Sequence, residues 1–86
     1  MEDKEALIFY KKVGQRIAKL RIDLNLTQEQ LGQKIGLKQQ AVANYETARR
    51  KLPLSLLKSF ANALCVEIND LLDIKKTDKP EPLQKK

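Results

Sequence analysis

The sequence predicts an all-α fold in which five short helices pack around one small core. Apolar residues recur at intervals of three and four, as they do along one face of a helix. Three glycines, three prolines and few β-branched runs favour helices over strands. The chain has 86 residues, of which 42% are hydrophobic, so we expect a single compact domain with one core.

Helix 1 is predicted over about residues 4–24, and Asn25 is its expected end. Its apolar stripe consists of Tyr10, Val13, Ile17, Leu20 and Leu24. Leu7, Ile8 and Phe9 lie mostly outside this stripe. These three residues therefore either cover another part of the domain or contact a partner.

Helix 2 is predicted over about residues 28–35. Thr27 and Gln30 have the spacing of a capping box, which satisfies two backbone donors at the start of a helix. Gly32 lowers the helix propensity of this segment, and its presence predicts that another backbone passes close by. Gly36 is the residue type that ends a helix in the left-handed conformation.

Helix 3 is predicted over about residues 38–46, directly after that glycine, and it would bury Val42 and Tyr45. Its opposite face consists of Gln39, Gln40, Ala43, Asn44 and Thr47. Two short helices joined by a tight glycine turn form a helix-turn-helix, whose second helix enters the DNA major groove. An amide places a donor beside an acceptor, as adenine does in that groove, and Ala43 suits contact with a thymine methyl group.

Helices 4 and 5 complete the predicted domain. Pro53 is expected to open helix 4, over about 53–64, and helix 5 follows over about 68–73. The residues expected to be buried are Leu56, Leu57, Phe60, Leu64, Ile68, Leu71 and Leu72. We therefore predict an N-terminal extension over 1–12, helical and continuous with helix 1, and a folded domain over 13–74. A disordered basic tail is predicted over 75–86, since that segment combines charge and prolines with few apolar residues.

Charge and composition restrict the function. The net charge is +6, and residues 11–51 alone carry +7, which predicts a polyanionic partner on one side of the molecule. The chain has one cysteine and no histidine, so an internal disulfide is excluded and we expect no zinc site, cofactor or acid-base enzyme. No apolar run or signal-peptide pattern is present in the sequence, so we expect a cytoplasmic protein with no membrane partner.

The sequence resembles the Cro/repressor-type (Xre-like) helix-turn-helix family of bacteria and phages. The resemblance covers about residues 13–72 and implies a compact, lambda-repressor-like domain of five helices. The motifs that carry it are Ile17-x-x-Leu-Arg, Leu26-Thr-Gln-x-x-Leu, Ile35-Gly-Leu, Val42-x-x-Tyr-Glu, Leu57-x-x-Phe-Ala-x-Ala-Leu and Ile68-x-x-Leu-Leu. The chain departs from the family where Gly32 replaces a usual alanine and where Ala48 and Cys65 replace glycines.

The resemblance also implies roles for individual side chains. Arg21 and Glu46 match a structural salt bridge between helices 1 and 3, which would not itself contact DNA. The side chains expected to read base edges are Gln39, Gln40, Ala43 and Asn44. Those expected to contact phosphates are Thr27, Gln28, Lys38, Arg49, Arg50 and Lys51.

The expected function is therefore that of a sequence-specific transcriptional regulator that binds double-stranded DNA. We expect it to bind a palindromic operator as a homodimer, with no small-molecule effector domain. The dimer interface is expected from helix 4 onward, including Leu71 and Ile74, with Leu7 to Phe9 as the alternative. A protein-interaction module with the same fold, such as an antitoxin or adaptor, is the alternative function.

Overall fold

The computed structural model describes residues 4–72, and all regular secondary structure in that range is α-helical. The five helices follow one another with short connections. They are α1 (Lys4–Asp23), α2 (Gln28–Ile35), α3 (Gln39–Glu46), α4 (Leu54–Ala63) and α5 (Ile68–Leu72). The prediction of an all-α domain with a helix-turn-helix at α2 and α3 is confirmed.

Helix α1 ends where the sequence predicts, but its last expected core residue is exposed. Asn25 adopts the left-handed conformation with φ 60°, which Asn tolerates better than most residues, and so ends the helix. Leu24 lies in this turn rather than on the helix and is 45% exposed. The prediction that Leu24 continues the buried stripe is therefore wrong, because the stripe stops with the helical geometry. Helix α1 continues without a break across residues 12 and 13, where the sequence analysis divides the N-terminal extension from the folded domain.

Helix α2 and the turn after it follow the local signals in the sequence. Thr27 Oγ1 accepts a hydrogen bond from Gln30 N at 3.0 Å, and Gln30 Oε1 accepts one from Thr27 N at 2.9 Å. Gly36 adopts the left-handed conformation with φ 76°. A Cβ atom on Gly32 would collide with the carbonyl oxygen of Leu37, which confirms that another backbone passes close to this glycine.

The core lies between the helices and draws side chains from all five of them. Its fully buried members are Ile17, Leu31, Val42, Phe60 and Leu71. Phe60 also packs edge-on against Tyr45, with ring centroids 6.2 Å apart. Because the Leu71 side chain is fully buried within its own chain, the expectation that it contributes to a dimer interface is wrong.

Small differences from the sequence prediction occur at helix ends and in side-chain burial. Lys38 and Pro53 are N-cap residues with extended backbone, so α3 and α4 each begin one residue later than predicted. Leu56, Ile68 and Leu72 are partly rather than fully buried against the core. Both effects are expected where a helix end or a helix edge meets solvent.

Some predictions lie outside the described residues. They include the tail over 75–86 and the proposed interface residue Ile74. Within the described range, no helix combines the length and the apolar character that crossing a bilayer requires.

Candidate nucleic-acid interface

Helix α3 is fixed to the domain through one of its two faces. Val42 is fully buried, and Tyr45 and Glu46 are 8% and 7% exposed. The middle of α1 also packs on the end of α3, since a Cβ atom on Gly14 would lie 2.6 Å from the Tyr45 carbonyl oxygen. The position of α3 is therefore determined by its apolar contacts and by a direct backbone approach.

The other face of α3 carries the predicted base-reading residues. Gln39 and Gln40 are exposed, while Ala43 and Asn44 are partly buried. Gln40 Nε2 donates a hydrogen bond to Asn44 Oδ1 at 3.3 Å, so these two amides lie side by side one helical turn apart. The structure thus brings together on one face the amides that the sequence selects.

Arg21 and Glu46 form a largely buried ion pair between α1 and α3. Arg21 Nε donates to Glu46 Oε2 at 2.7 Å, and Arg21 Nη2 donates to Glu46 Oε1 at 3.1 Å. The two side chains are only 13% and 4% exposed. Arg21 Nη1 also donates to the Leu26 carbonyl at 2.8 Å, so the guanidinium fixes the connection between α1 and α2 as well.

Gln28, the first residue of α2, links this ion pair to the outer face of α3. Its Nε2 donates to Glu46 Oε1 at 3.0 Å, and its Oε1 accepts from Gln39 Nε2 at 3.3 Å. The sequence predicts only a phosphate contact for Gln28. No local pattern reveals these contacts, because Gln28 is 18 residues from Glu46 and 11 from Gln39 in the chain.

The predicted phosphate-binding residues lie near both ends of α3. Arg49, Arg50 and Lys51 are exposed in the connection to α4. The Asn44 carbonyl accepts from Arg49 N at 2.8 Å and from Arg50 N at 3.3 Å, which ties the basic connection to the end of α3. Exposed Lys38 lies at the other end, as the N-cap residue of α3.

Thr27 is engaged in the capping box of α2, where its hydroxyl oxygen accepts from Gln30 N. The hydroxyl hydrogen is not used in that bond, so Thr27 can still donate to a phosphate. No group of three or more His, Cys, Asp or Glu residues that suits a metal ion occurs within residues 4–72.

The five helices, with the exposed amides on α3, match a known protein family. A family model described as "Helix-turn-helix" matches residues 17–71, from the core of α1 to α5. The chain belongs to the Cro/repressor-type helix-turn-helix family. This is a family of DNA-binding transcriptional regulators rather than of enzymes.

Two curated members of the helix-turn-helix family resemble the chain. The uncharacterized HTH-type transcriptional regulator YobD of Bacillus subtilis (strain 168) is 37% identical over 68 residues, 79% of this chain and 59% of the relative. An uncharacterized transcriptional regulator in the ATPase CF(0) region of Rhodospirillum rubrum is 40% identical over 57 residues, 66% of this chain and 53% of the relative. The chain thus spans little more than half the length of these curated relatives.

A solved structure of the helix-turn-helix family also superposes on the chain. It is the restriction-modification controller protein C.AhdI from Aeromonas hydrophila, with a TM-score of 0.69 and 34% identity. The similarity covers 72% of this chain and 94% of C.AhdI. The arrangement of helices described above is therefore that of a known regulator of this family.

Proposed function

We propose that the chain is a sequence-specific transcriptional regulator that binds double-stranded DNA with α3 in the major groove. The observation that carries this proposal is the division of α3 into two faces. Val42, Tyr45 and Glu46 fix one face to the domain, and the opposite face presents uncharged amides. The description of both curated relatives as transcriptional regulators supports regulation of transcription.

The amides of α3 suit the reading of base edges. Gln39, Gln40 and Asn44 each carry a donor and an acceptor that match the N6 amino group and N7 of adenine. Ala43 lies on the same face and offers a methyl group for contact with a thymine methyl. A face that serves only solubility is more often built from Lys and Glu, and residues 39–44 contain neither.

The charges near α3 suit the DNA backbone. Arg49, Arg50 and Lys51 follow the end of the helix, and Lys38 precedes its start. Phosphate contacts at both ends would set the position of α3 in the groove without reading sequence. Arg49→Ala should weaken binding to all sequences and reduce the salt slope by about one unit. A change in base preference in this variant would assign Arg49 to base reading instead.

We further propose that the protein acts as a homodimer on a palindromic operator. One copy of α3 covers only a few base pairs, which gives little discrimination against the competing sites of a genome. Two-fold symmetry doubles these contacts and places the two copies of α3 about 34 Å apart, or a multiple of that distance. The expected interface from helix 4 onward contains Leu54, which is 78% exposed, although Leu71 is buried. The alternative interface contains Leu7, Ile8 and Phe9, which are 42–53% exposed.

Selection of bound sequences from a random duplex pool tests these proposals. The expected result is an inverted repeat whose half-sites are one helical turn apart, bound by a dimer in analytical ultracentrifugation. A preferred site without symmetry, bound by a monomer, would contradict the homodimer. A pool from which no sequence is enriched would contradict base reading and favour the alternative of a protein-interaction module, such as an antitoxin or adaptor.

A further inference from the structure

Four exposed side chains form a stripe, the α1 stripe, along the N-terminal half of α1. They are Glu5, Ile8, Phe9 and Lys12, whose spacings of three and four residues place them on one face of the helix. Ile8 is 53% exposed and Phe9 is 44% exposed, although both are large apolar residues. The stripe therefore has an apolar centre, with an acidic residue at one end and a basic residue at the other.

The α1 stripe has no part in the core of its own chain. Helix α1 reaches the core through Val13 and Ile17, and neither Ile8 nor Phe9 belongs to the core or packs against it. Single exposed apolar residues are normal, but adjacent ones that are rimmed by polar residues indicate a contact with another molecule. The stripe also lies outside residues 17–71, the segment that the family model matches.

The pattern of the α1 stripe is self-complementary under two-fold symmetry. If two copies of α1 pack antiparallel about a point midway between Ile8 and Phe9, each Ile8 faces the Phe9 of the other copy. Glu5 and Lys12 are both about 5 Å along the helix axis from that point, so each Glu5 faces a Lys12. A parallel arrangement would instead bring like charges together. One patch can thus serve both sides of an isologous contact.

We propose that the α1 stripe is a contact surface between two copies of this chain, formed by antiparallel packing of their α1 helices. This inference rests on the proposed homodimer and deepens it, because it names a surface through which two copies meet and the register of the contact. The charges favour a second copy over a polyanion, since Glu5 would repel DNA phosphates or an anionic bilayer.

The side chains at the centre of the stripe suit a protein contact. The Phe9 ring packs edge-on against the Tyr10 ring, with centroids 5.5 Å apart, so its motion is already restricted before a partner arrives. Aromatic residues of this kind contribute much of the binding energy of an interface. The stripe is short, so we expect weak association in free solution, which is strengthened when one operator holds two copies close together.

The first experiment compares Ile8→Ser with Ile22→Ser by sedimentation equilibrium without DNA. Both replace an exposed isoleucine of α1, but Ile22, which is 60% exposed, lies outside the stripe. Ile8→Ser should weaken self-association on the order of ten-fold, and Ile22→Ser should leave it unchanged. Equal effects of the two variants would overturn the inference, as would an unmodified protein that is monomeric at every concentration.

Charge reversal tests the predicted pairing of Glu5 with Lys12. Glu5→Lys and Lys12→Glu should each weaken self-association, because each brings like charges together across the two-fold axis. The double variant exchanges the two charges and should associate as the unmodified protein does. An effect of net charge alone would change the two single variants in opposite directions. A double variant that associates as weakly as the single variants would overturn the inference.

Disulfide formation tests the register of the two helices. In a Cys65→Ser background, Glu5→Cys combined with Lys12→Cys should give a covalent dimer in a glutathione redox buffer, since a disulfide forms only between close residues. Glu5→Cys combined with Gln15→Cys is the control, because Gln15 is exposed on α1 outside the stripe. The yield of covalent dimer is measured by mass spectrometry under non-reducing conditions. Equal yields from the two pairs would overturn the antiparallel register.

The outcomes distinguish this inference from the homodimer on which it rests. If the unmodified protein is dimeric and no change in the α1 stripe alters its association, the inference fails while the homodimer stands. If the protein is monomeric both in solution and on its selected site, the homodimer fails first. If Ile8→Ser lowers only the binding of a monomer to phosphatidylglycerol vesicles, the stripe contacts a bilayer and the inference is overturned.

Discussion

The two faces of α3 differ in how completely their side chains are engaged with the rest of the molecule. On the inner face, Val42 is fully buried and the Glu46 side chain accepts three hydrogen bonds from two other helices. On the outer face, the side-chain amide of Gln40 donates a hydrogen bond of 3.3 Å to that of Asn44. One short helix therefore separates the residues that hold it in place from those left available to a ligand.

This separation predicts two kinds of mutational effect. Changes to the inner face should lower the free energy of unfolding, because they leave buried groups unpaired or overpacked. Changes to the outer face should leave folding almost unaffected and alter binding. The variants below test that division, in order of decreasing expected effect.

Arg21→Ala should have the largest effect, a loss of about 3–5 kcal/mol in the free energy of unfolding. The Glu46 carboxylate, whose side chain is 4% exposed, would lose its partner in a buried site. Urea denaturation followed by circular dichroism measures the loss. Lys19→Ala is the control, since the Lys19–Asp23 pair is 75% and 56% exposed and should contribute less than about 1 kcal/mol. Equal losses in the two variants would contradict a difference between buried and surface pairs.

Gly14→Ala should destabilise the protein by about 1–3 kcal/mol, although Ala normally stabilises the interior of a helix. The reason is that the new methyl group would meet the backbone oxygens of Tyr45 and Glu46 at the end of α3. A loss of stability, where alanine in a helix normally gives a gain, would indicate that α1 and α3 are closely packed at Gly14. Gln15→Ala, at the next and exposed position, should change the midpoint of thermal unfolding only slightly. A more stable Gly14→Ala variant would show that α1 and α3 separate easily.

Gln40→Ala should cost about 1–3 kcal/mol in binding to the preferred site and relax one position per half-site. Its free energy of unfolding should change by less than about 0.5 kcal/mol, because the side chain is exposed. Fluorescence anisotropy with operator duplexes and thermal denaturation measure the two quantities. If Gln40→Ala unfolds at a much lower temperature than the unmodified protein, the outer face also stabilises the fold. The two faces would then not differ in the way described.

Ala48→Gly should have the smallest effect and the opposite sign, a gain of about 0.5–1 kcal/mol in stability. Ala48 follows α3 with φ 63°, a left-handed conformation that costs an alanine more than a glycine. Cys65, with φ 61° after α4, should respond in the same way to Cys65→Gly. Lys58→Gly is the contrasting variant, because glycine at this exposed position inside α4 should destabilise by about 0.7 kcal/mol. Loss of stability in Ala48→Gly would show that this turn is not strained.

The helix ends and the turn between α2 and α3 could be predicted because their signals are local. Thr27 and Gln30 specify a capping box through their spacing alone, and Gly36 specifies the left-handed turn. The apolar periodicity of α1 likewise reflects a single repeated contact with the core. Such features depend on a few neighbouring residues, so a sequence pattern contains most of the information.

The contacts of Gln28 could not be predicted, because they depend on where distant residues meet. Gln28 contacts Glu46 and Gln39, which reach it only after α2 and α3 have packed together. Leu71 is a similar case. Its apolar character predicts burial, but only the packed structure shows whether its own chain or a partner would cover it. The base-reading roles of the outer amides remain predictions, since their test requires DNA.

The hydrogen bond between Gln40 and Asn44 also has a consequence for the entropy of binding. Fixing a glutamine side chain in one rotamer costs up to about 1.5–2 kcal/mol in conformational entropy. The 3.3 Å hydrogen bond to Asn44 already restricts Gln40 in the free protein, so part of that cost arises during folding rather than on association. Removing this restraint in Asn44→Ala should make the binding entropy less favourable in isothermal titration calorimetry, in addition to the effect of any hydrogen bond between Asn44 and a base. If α3 binds DNA as proposed, part of its affinity is thus set before any DNA is present.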